Sequence, residues 1–167
     1  MTSRCIFVTV SAARGLLAAD KNGTSDPYAV AELVHTRSGK PLKKPRRLKT
    51  NVVKATLDPE WSTDEVEWAG VEEDVDDLSV RVRVLDDDFM RPDEVLGEVK
   101  IPLPREHAED WYPLETTSKM RRTAEGAVCI KLRSVLQART EKEECRGAAV
   151  SKKTRNKKGK QKNALLT

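Results

Sequence analysis

Hydrophobic residues alternate with polar ones in short runs along most of the chain. Ile6, Val8 and Val10 alternate in the first run, and Ile130 and Leu132 do so in the last. Such alternation places the apolar side chains on one face of a strand. Turn-forming pairs such as Asn-Gly and Asp-Pro separate the runs. The pattern predicts about eight strands, over residues 4–11, 28–35, 50–55, 64–69, 78–85, 95–103, 111–114 and 126–135.

Short strands at regular spacing, without a long helix between them, are typical of an antiparallel sandwich. The sequence therefore predicts an all-β fold, an eight-stranded antiparallel β-sandwich with Greek-key connections, over residues 1–136. The remaining segment, 137–167, has ten basic residues and three glutamates, a net charge of +7. Because the whole chain carries +4, the first segment carries −3. The lysine-rich end lacks core-forming residues, so we predict a basic and mostly disordered tail.

Two acidic turns lie far apart in the sequence. Asp20 and Asp26 belong to a loop, and a second run of acids, Asp86 to Asp88, directly follows an alternating segment. Neighbouring carboxylates repel one another by roughly 1 kcal/mol per pair even in water, so a bound cation would offset a real cost. Calcium takes six to eight oxygen ligands, more than one such loop offers. We therefore expect the two turns to share calcium.

Three motifs resemble those of a known family. Residues 19–28 and the Asp86-x-Asp88 loop followed by Leu96-Gly97-Glu98 resemble the first and third calcium-binding loops of the C2 domains of protein kinase C and synaptotagmin. Residues 56–61 are similar to the Thr-Leu-Asn-Pro-x-Trp turn between those loops. The motifs follow the family's order, and the resemblance covers residues 5–136. It implies the type II topology, in which the segment 128–133 forms a strand beside the first one.

The resemblance also implies a set of calcium ligands. The family's positions fall on Asp20, Asp26, Asp86 and Asp88, and its last aspartate is replaced by Glu94. Either Glu94 reaches the ion or Asp93 takes over after a small loop shift. Arg91 stands where some relatives have a serine that helps to bind a further ion, so we expect two calcium ions or fewer.

Further residues are candidates for lipid binding. Phe89 and Met90, at the crest of the third loop, are predicted to enter the headgroup region, the alternative being that they fold back on the loop base. The basic segment 43–49 is either a solvated connection or a cationic surface for phosphoinositides. Its candidate side chains are Lys43, Lys44, Arg46, Arg47 and Lys49.

Together these features predict calcium-triggered binding to anionic phospholipid membranes, with phosphatidylserine as the main lipid and phosphoinositides as an open second class. A calcium-independent protein- or phosphoinositide-interaction module is the first alternative, and tail-driven nucleic-acid association is the weaker one. We expect a monomer that is not an enzyme, because no nucleophile, histidine and acid fall together in a plausible loop. The absence of a membrane-spanning run or a signal-peptide pattern predicts a cytoplasmic protein recruited peripherally to membranes. The basic tail leaves nuclear import and a protein partner open.

Overall fold

The computed structural model describes residues 2–138, almost all of them in strands and short loops. A single 3-10 turn spans Val75–Asp77, and residues 2–138 contain no α-helix. The chain divides into two units, Met1–Gln137 and Ala138–Thr167, and most of the second unit lies outside the described residues. The strands are β1 (Thr2–Arg14), β2 (Pro27–His35), β3 (Arg47–Lys49), β4 (Val66–Val71), β5 (Leu78–Asp86), β6 (Glu94–Pro102), β7 (His107–Pro113) and β8 (Ala127–Ala138).

The strands form two four-stranded sheets, with the orders β4-β1-β8-β7 and β3-β2-β5-β6. The pairs β1 with β4, β2 with β3 and β5, β5 with β6, and β7 with β8 are all antiparallel. The predicted all-β antiparallel sandwich is therefore confirmed. The last strand lies beside the first, which is the neighbour relation that the type II topology requires.

The apolar side chains predicted from alternation fill the space between the sheets. Val80, Val82 and Val84 of β5 are fully buried, as are Ile6 of β1 and Ile130 of β8. Each such side chain contributes roughly 1.5–3 kcal/mol to folding when it is fully buried. This core fixes the strand ends, and the strand ends in turn fix where the loops begin.

The predicted strand over residues 50–55 is wrong. The strand in this region is β3, and the segment after it runs irregularly along the end of β2. Thr50 both donates from its N–H to the Ala29 oxygen at 2.9 Å and accepts from the Ala29 N–H through Oγ1 at 2.8 Å. Ala55 then adopts a left-handed conformation with φ 54°, which turns the segment away from the sheet.

The other bounds differ by a few residues. Strand β4 begins at Val66 and extends to Val71, and β7 begins at His107, four residues before the predicted start. The predicted domain boundary after residue 136 stays a prediction. The expected disorder of the basic tail concerns residues that lie almost wholly outside the described range.

Candidate metal centre

The pairing of β2 with β5 brings the two acidic turns to the same end of the molecule. Pro27 at the start of β2 is opposite Asp86 at the end of β5, so the loop before one strand meets the loop after the other. The Asp26 N–H donates to Asp86 Oδ1 at 2.6 Å, and the Asp87 N–H donates to the Asp26 oxygen at 3.0 Å. The two turns are thus joined by hydrogen bonds.

Three carboxylates converge where these loops meet. One oxygen each from Asp20, Asp86 and Asp88 lies within 4.8 Å of the other two. They line an open cleft of about 570 Å³, together with Arg91 and Glu94 among others. We call Asp20, Asp86 and Asp88 the acidic triad.

The acidic triad is electrostatically unfavourable in the protein alone. Burial raises the pKa of Asp86, and the nearby charges of Asp20, Asp88 and Asp26 raise it further, against the lowering effect of the Asp26 N–H. A bound cation would remove this repulsion. Because every donor is a carboxylate oxygen, the set suits a hard cation such as calcium or magnesium, and the irregular loop geometry favours calcium.

The Asp26 carboxylate lies outside the acidic triad and faces the segment 50–55 instead. Its Oδ1 accepts from the Ala55 N–H at 2.7 Å, and its Oδ2 contacts Lys54 Nζ at 3.0 Å. The hydrogen bond from Ala55 lowers the pKa of Asp26, and Lys54 lowers it further. Lys54 also contacts Asp87 Oδ2 at 3.1 Å, so one ammonium group bridges two tip acids.

The two residues considered for the last ligand position face different surroundings. Glu94 lines the cleft of the acidic triad, and its Oε1 contacts Arg122 Nη2 at 3.3 Å. Asp93 accepts from the Tyr28 hydroxyl through Oδ2 and from the Asp88 N–H through Oδ1, the latter at 3.2 Å. Asp93 therefore anchors the third loop to β2, while Glu94 is the one that faces the cleft.

Tyr28 is the donor that holds this anchor. Burial and the neighbouring Asp93 carboxylate raise the pKa of Tyr28 to about 12, so the phenol keeps its proton at neutral pH. The hydroxyl therefore donates to Asp93, and Asp93 in turn fixes the backbone of Asp88. Tyr28 thus positions one member of the acidic triad without belonging to it.

Phe89 and Met90 project from the third loop into solvent. They are 97% and 85% exposed, the two most exposed large hydrophobic side chains of the described residues. The alternative in which they fold back on the loop base is therefore excluded. These two adjacent residues are therefore a candidate surface for contact with another molecule.

Three side chains of the basic segment 43–49, those of Lys43, Lys44 and Arg46, line one cleft, and Arg47 and Lys49 lie outside it. Arg46 donates through Nη2 to the Ala69 oxygen at 2.6 Å, and Lys49 Nζ lies 4.3 Å from the centroid of the Tyr28 ring. Lys43 and Lys44 are exposed near a cleft of about 190 Å³ that also contains Glu72 and Glu73, and Arg47 is exposed on β3.

Sequence reasoning missed Lys54, Ala55, Arg122 and the positioning role of Tyr28. The position of Lys54, two residues before the recognised turn 56–61, was the only available signal for its loop. Arg122 lies in the connection between β7 and β8. Its guanidinium contacts Glu94 and also donates to the backbone oxygen of Ala18 at 2.8 Å. No motif marks that connection.

No helix within residues 2–138 is long and apolar enough to cross a membrane.

Known proteins resemble this chain in sequence. A C2 and GRAM domain-containing protein of Arabidopsis thaliana is 34% identical over 134 residues, which cover 75% of this chain and 12% of that protein. Synaptotagmin-4 of Mus musculus is 33% identical over 122 residues, which cover 72% of this chain and 27% of the relative. The chain thus corresponds to a small part of each relative.

Solved structures share the fold. A C2 domain of plant extended synaptotagmin 1 superposes with a TM-score of 0.63 at 23% identity, covering 84% of this chain and 99% of that one. The pair of calcium-bound C2 domains of extended synaptotagmin 2 gives a TM-score of 0.60 at 18% identity, covering 80% of this chain and 46% of that one. The family model described as C2 domain matches residues 4–114, which is most of the sandwich. The chain therefore belongs to the C2 domain family.

Proposed function

We propose that this chain binds anionic phospholipid membranes in a calcium-dependent manner. The observation that carries the proposal is the convergence of Asp20, Asp86 and Asp88 directly beside the exposed Phe89 and Met90. A cation site and an apolar crest on the same loop suit a surface where charged headgroups lie above hydrocarbon. The family resemblance supports the same activity.

The residues that would hold calcium are the acidic triad, with Glu94 as a further ligand from the same cleft. When bound, calcium neutralises these carboxylates and accepts phosphate or carboxylate oxygens of lipid in its remaining coordination positions. Asp93 and Tyr28 keep the third loop in place, because their hydrogen bonds fix the Asp88 backbone. Asp26 ties the first loop to the segment 50–55.

The tip carries seven acidic residues, and only some of them contact a basic side chain, so an anionic leaflet repels the negative charge that remains. The seven residues are Asp20, Asp26, Asp86, Asp87, Asp88, Asp93 and Glu94. Once this repulsion is removed, Phe89 and Met90 can enter the headgroup region. Full burial of each would contribute roughly 1.5–3 kcal/mol. The acidic residues thus make membrane association depend on calcium, and the burial of Phe89 and Met90 makes it favourable.

We further propose that phosphatidylserine is the main lipid and that the chain acts without catalysis as a cytoplasmic, peripherally recruited module. Phosphoinositides are a second lipid class for the basic segment 43–49, where each exposed lysine near an anionic surface adds about 1 kcal/mol.

The test is co-sedimentation of the full chain with vesicles of phosphatidylcholine alone or mixed with phosphatidylserine. Each vesicle type is measured with calcium and with a chelator. We expect the chain to sediment only with the phosphatidylserine vesicles and only with calcium. Equal sedimentation in calcium and in chelator would overturn the proposal and favour the calcium-independent module.

A further inference from the structure

The acids of the tip differ in whether a basic side chain already compensates them. Lys54 Nζ lies 3.0 Å from Asp26 Oδ2 and 3.1 Å from Asp87 Oδ2. In the part of the chain that the structure describes, no ion pair reaches Asp20, Asp86 or Asp88. The tip therefore has one compensated pair of acids and one uncompensated triad, side by side.

The loop backbone holds Lys54 in this position. Ala55 has a φ of 54°, a left-handed conformation that residues other than glycine rarely adopt. In that conformation its N–H donates to Asp26 Oδ1 at 2.7 Å, while Lys54 contacts the other oxygen of the same carboxylate. Both oxygens of Asp26 are thus engaged by two successive residues of the segment 50–55.

This arrangement competes with a second metal ion. Asp26 and Asp87 are the two tip acids beside the triad that share one cation already, because Lys54 contacts both. The Lys54 ammonium and a divalent ion that shared the Asp26 carboxylate would also repel each other. The ammonium would have to leave before a second divalent ion could bind there.

We infer that Lys54 takes the place of a second divalent cation, so that the tip binds a single calcium ion at the acidic triad. This inference rests on the proposed function and makes it more specific, because it fixes the stoichiometry and assigns it to one side chain. Arg122 has a different role, since it contacts Glu94 and a backbone oxygen and does not bridge two carboxylates.

The test counts calcium ions directly, by equilibrium dialysis of the full chain against radioactive calcium up to saturation. The variants are Lys54→Gln and a matched control, Lys21→Gln. Lys21 is an exposed lysine of the first loop that lines the cleft of the acidic triad but forms no ion pair within residues 2–138. Its replacement therefore removes the same charge from the same tip without freeing a carboxylate. We expect one ion per chain for the wild type and for Lys21→Gln, and two for Lys54→Gln. Thermal unfolding without calcium checks that each variant folds.

Two outcomes overturn the inference and leave the proposed function standing. They are two ions in the wild type, or one ion in Lys54→Gln, each together with calcium-dependent sedimentation of the wild type on phosphatidylserine vesicles. A third outcome, no saturable calcium binding by the wild type and sedimentation that is the same in chelator, overturns both.

Discussion

Charged side chains lie close together both at the loop tip and on the outer face of the β3-β2-β5-β6 sheet. On the sheet, acidic and basic side chains pair with one another, whereas the acidic triad at the tip brings like charges together. On the sheet, Glu32 accepts from Arg81 at 2.5 Å and from Arg83 at 3.4 Å. Arg81 is the cross-strand partner of Glu32 in the pairing of β2 with β5. At the tip, the members of the acidic triad face one another, and no basic side chain within residues 2–138 forms an ion pair with them.

The difference shows how to separate structural charges from binding charges in this fold. Opposite charges placed across neighbouring strands satisfy each other and stabilise the sheet modestly. Like charges that converge on loops destabilise the metal-free protein, and a cation recovers that free energy on binding. The raised pKa of Asp86, caused by burial and by the adjacent carboxylates, is the sign of this uncompensated state.

Replacing one member of the acidic triad should have the largest effect, because it removes a proposed calcium ligand. In Asp88→Asn the tip loses one carboxylate, so we expect calcium affinity to fall by more than about 100-fold, beyond the usual loss for residues that only support a ligand. Calcium-dependent sedimentation with phosphatidylserine vesicles should disappear. The control is Asp64→Asn, which removes the same charge at an exposed site away from the tip. Equal losses in the two variants would contradict a specific role for Asp88.

The apolar crest should matter for membranes and not for the ion. In the double variant Phe89→Ser and Met90→Ser, we expect membrane affinity in calcium to fall by about 3 kcal/mol, roughly 150-fold. Calcium binding measured without lipid should stay as in the wild type. Leu136→Ser is the control, because Leu136 is also exposed but lies at the end of β8. A weaker calcium affinity without lipid would show that the crest also shapes the ion site.

The anchor of the third loop gives a smaller effect on stability. Tyr28→Phe removes the hydroxyl that donates to Asp93, and we expect a loss of about 2 kcal/mol in the free energy of unfolding. Tyr112→Phe, at a half-buried tyrosine of β7, is the control. Denaturant unfolding without calcium gives both values, and similar small losses would argue against the anchor.

The same bond predicts a pH dependence for the wild type. Burial and, after it, the Asp93 carboxylate raise the pKa of Tyr28 from 10.0 to about 12 on folding, so the stability that depends on the protonated phenol is fully present below pH 10 and is lost as the pH rises through 12. Tyrosinate absorbance should show one tyrosine that ionises near pH 12.

The smallest expected effect comes from leaving charged side chains on the sheet face without an ion-pair partner. Glu32→Gln leaves Arg81 and Arg83 without their counter-charge, so we expect binding to phosphatidylserine vesicles in calcium to strengthen by about 1 kcal/mol, roughly fivefold. Glu109→Gln, at an exposed site on the other sheet, should change it less. No gain in Glu32→Gln would show that this face does not approach the membrane.

Alternation predicted the sheets because burial of one face is a local property of each strand. Val80, Val82 and Val84 follow it, and the predicted end of their strand, at residue 85, falls one residue before the observed end at Asp86. The segment 50–55 could not, because its β-branched residues favour a strand while contacts with Ala29 and a left-handed Ala55 turn it toward the tip.

The candidate site was predictable only in part for a similar reason. The four aspartates of the two loops are visible as motifs, but the engagement of Asp26 by Lys54 joins residues 28 positions apart. Arg122 reaches Glu94 from an equal distance along the chain. Such contacts depend on how the loops pack and leave no local pattern in the sequence.

The exposure of Phe89 and Met90 also affects how the chain behaves in solution, in the absence of a membrane. Two large apolar side chains in water favour self-association between copies, and the negative charge of the neighbouring acidic residues opposes it by mutual repulsion. The acids that we propose as metal ligands would therefore also limit self-association of the chain while no membrane covers Phe89 and Met90.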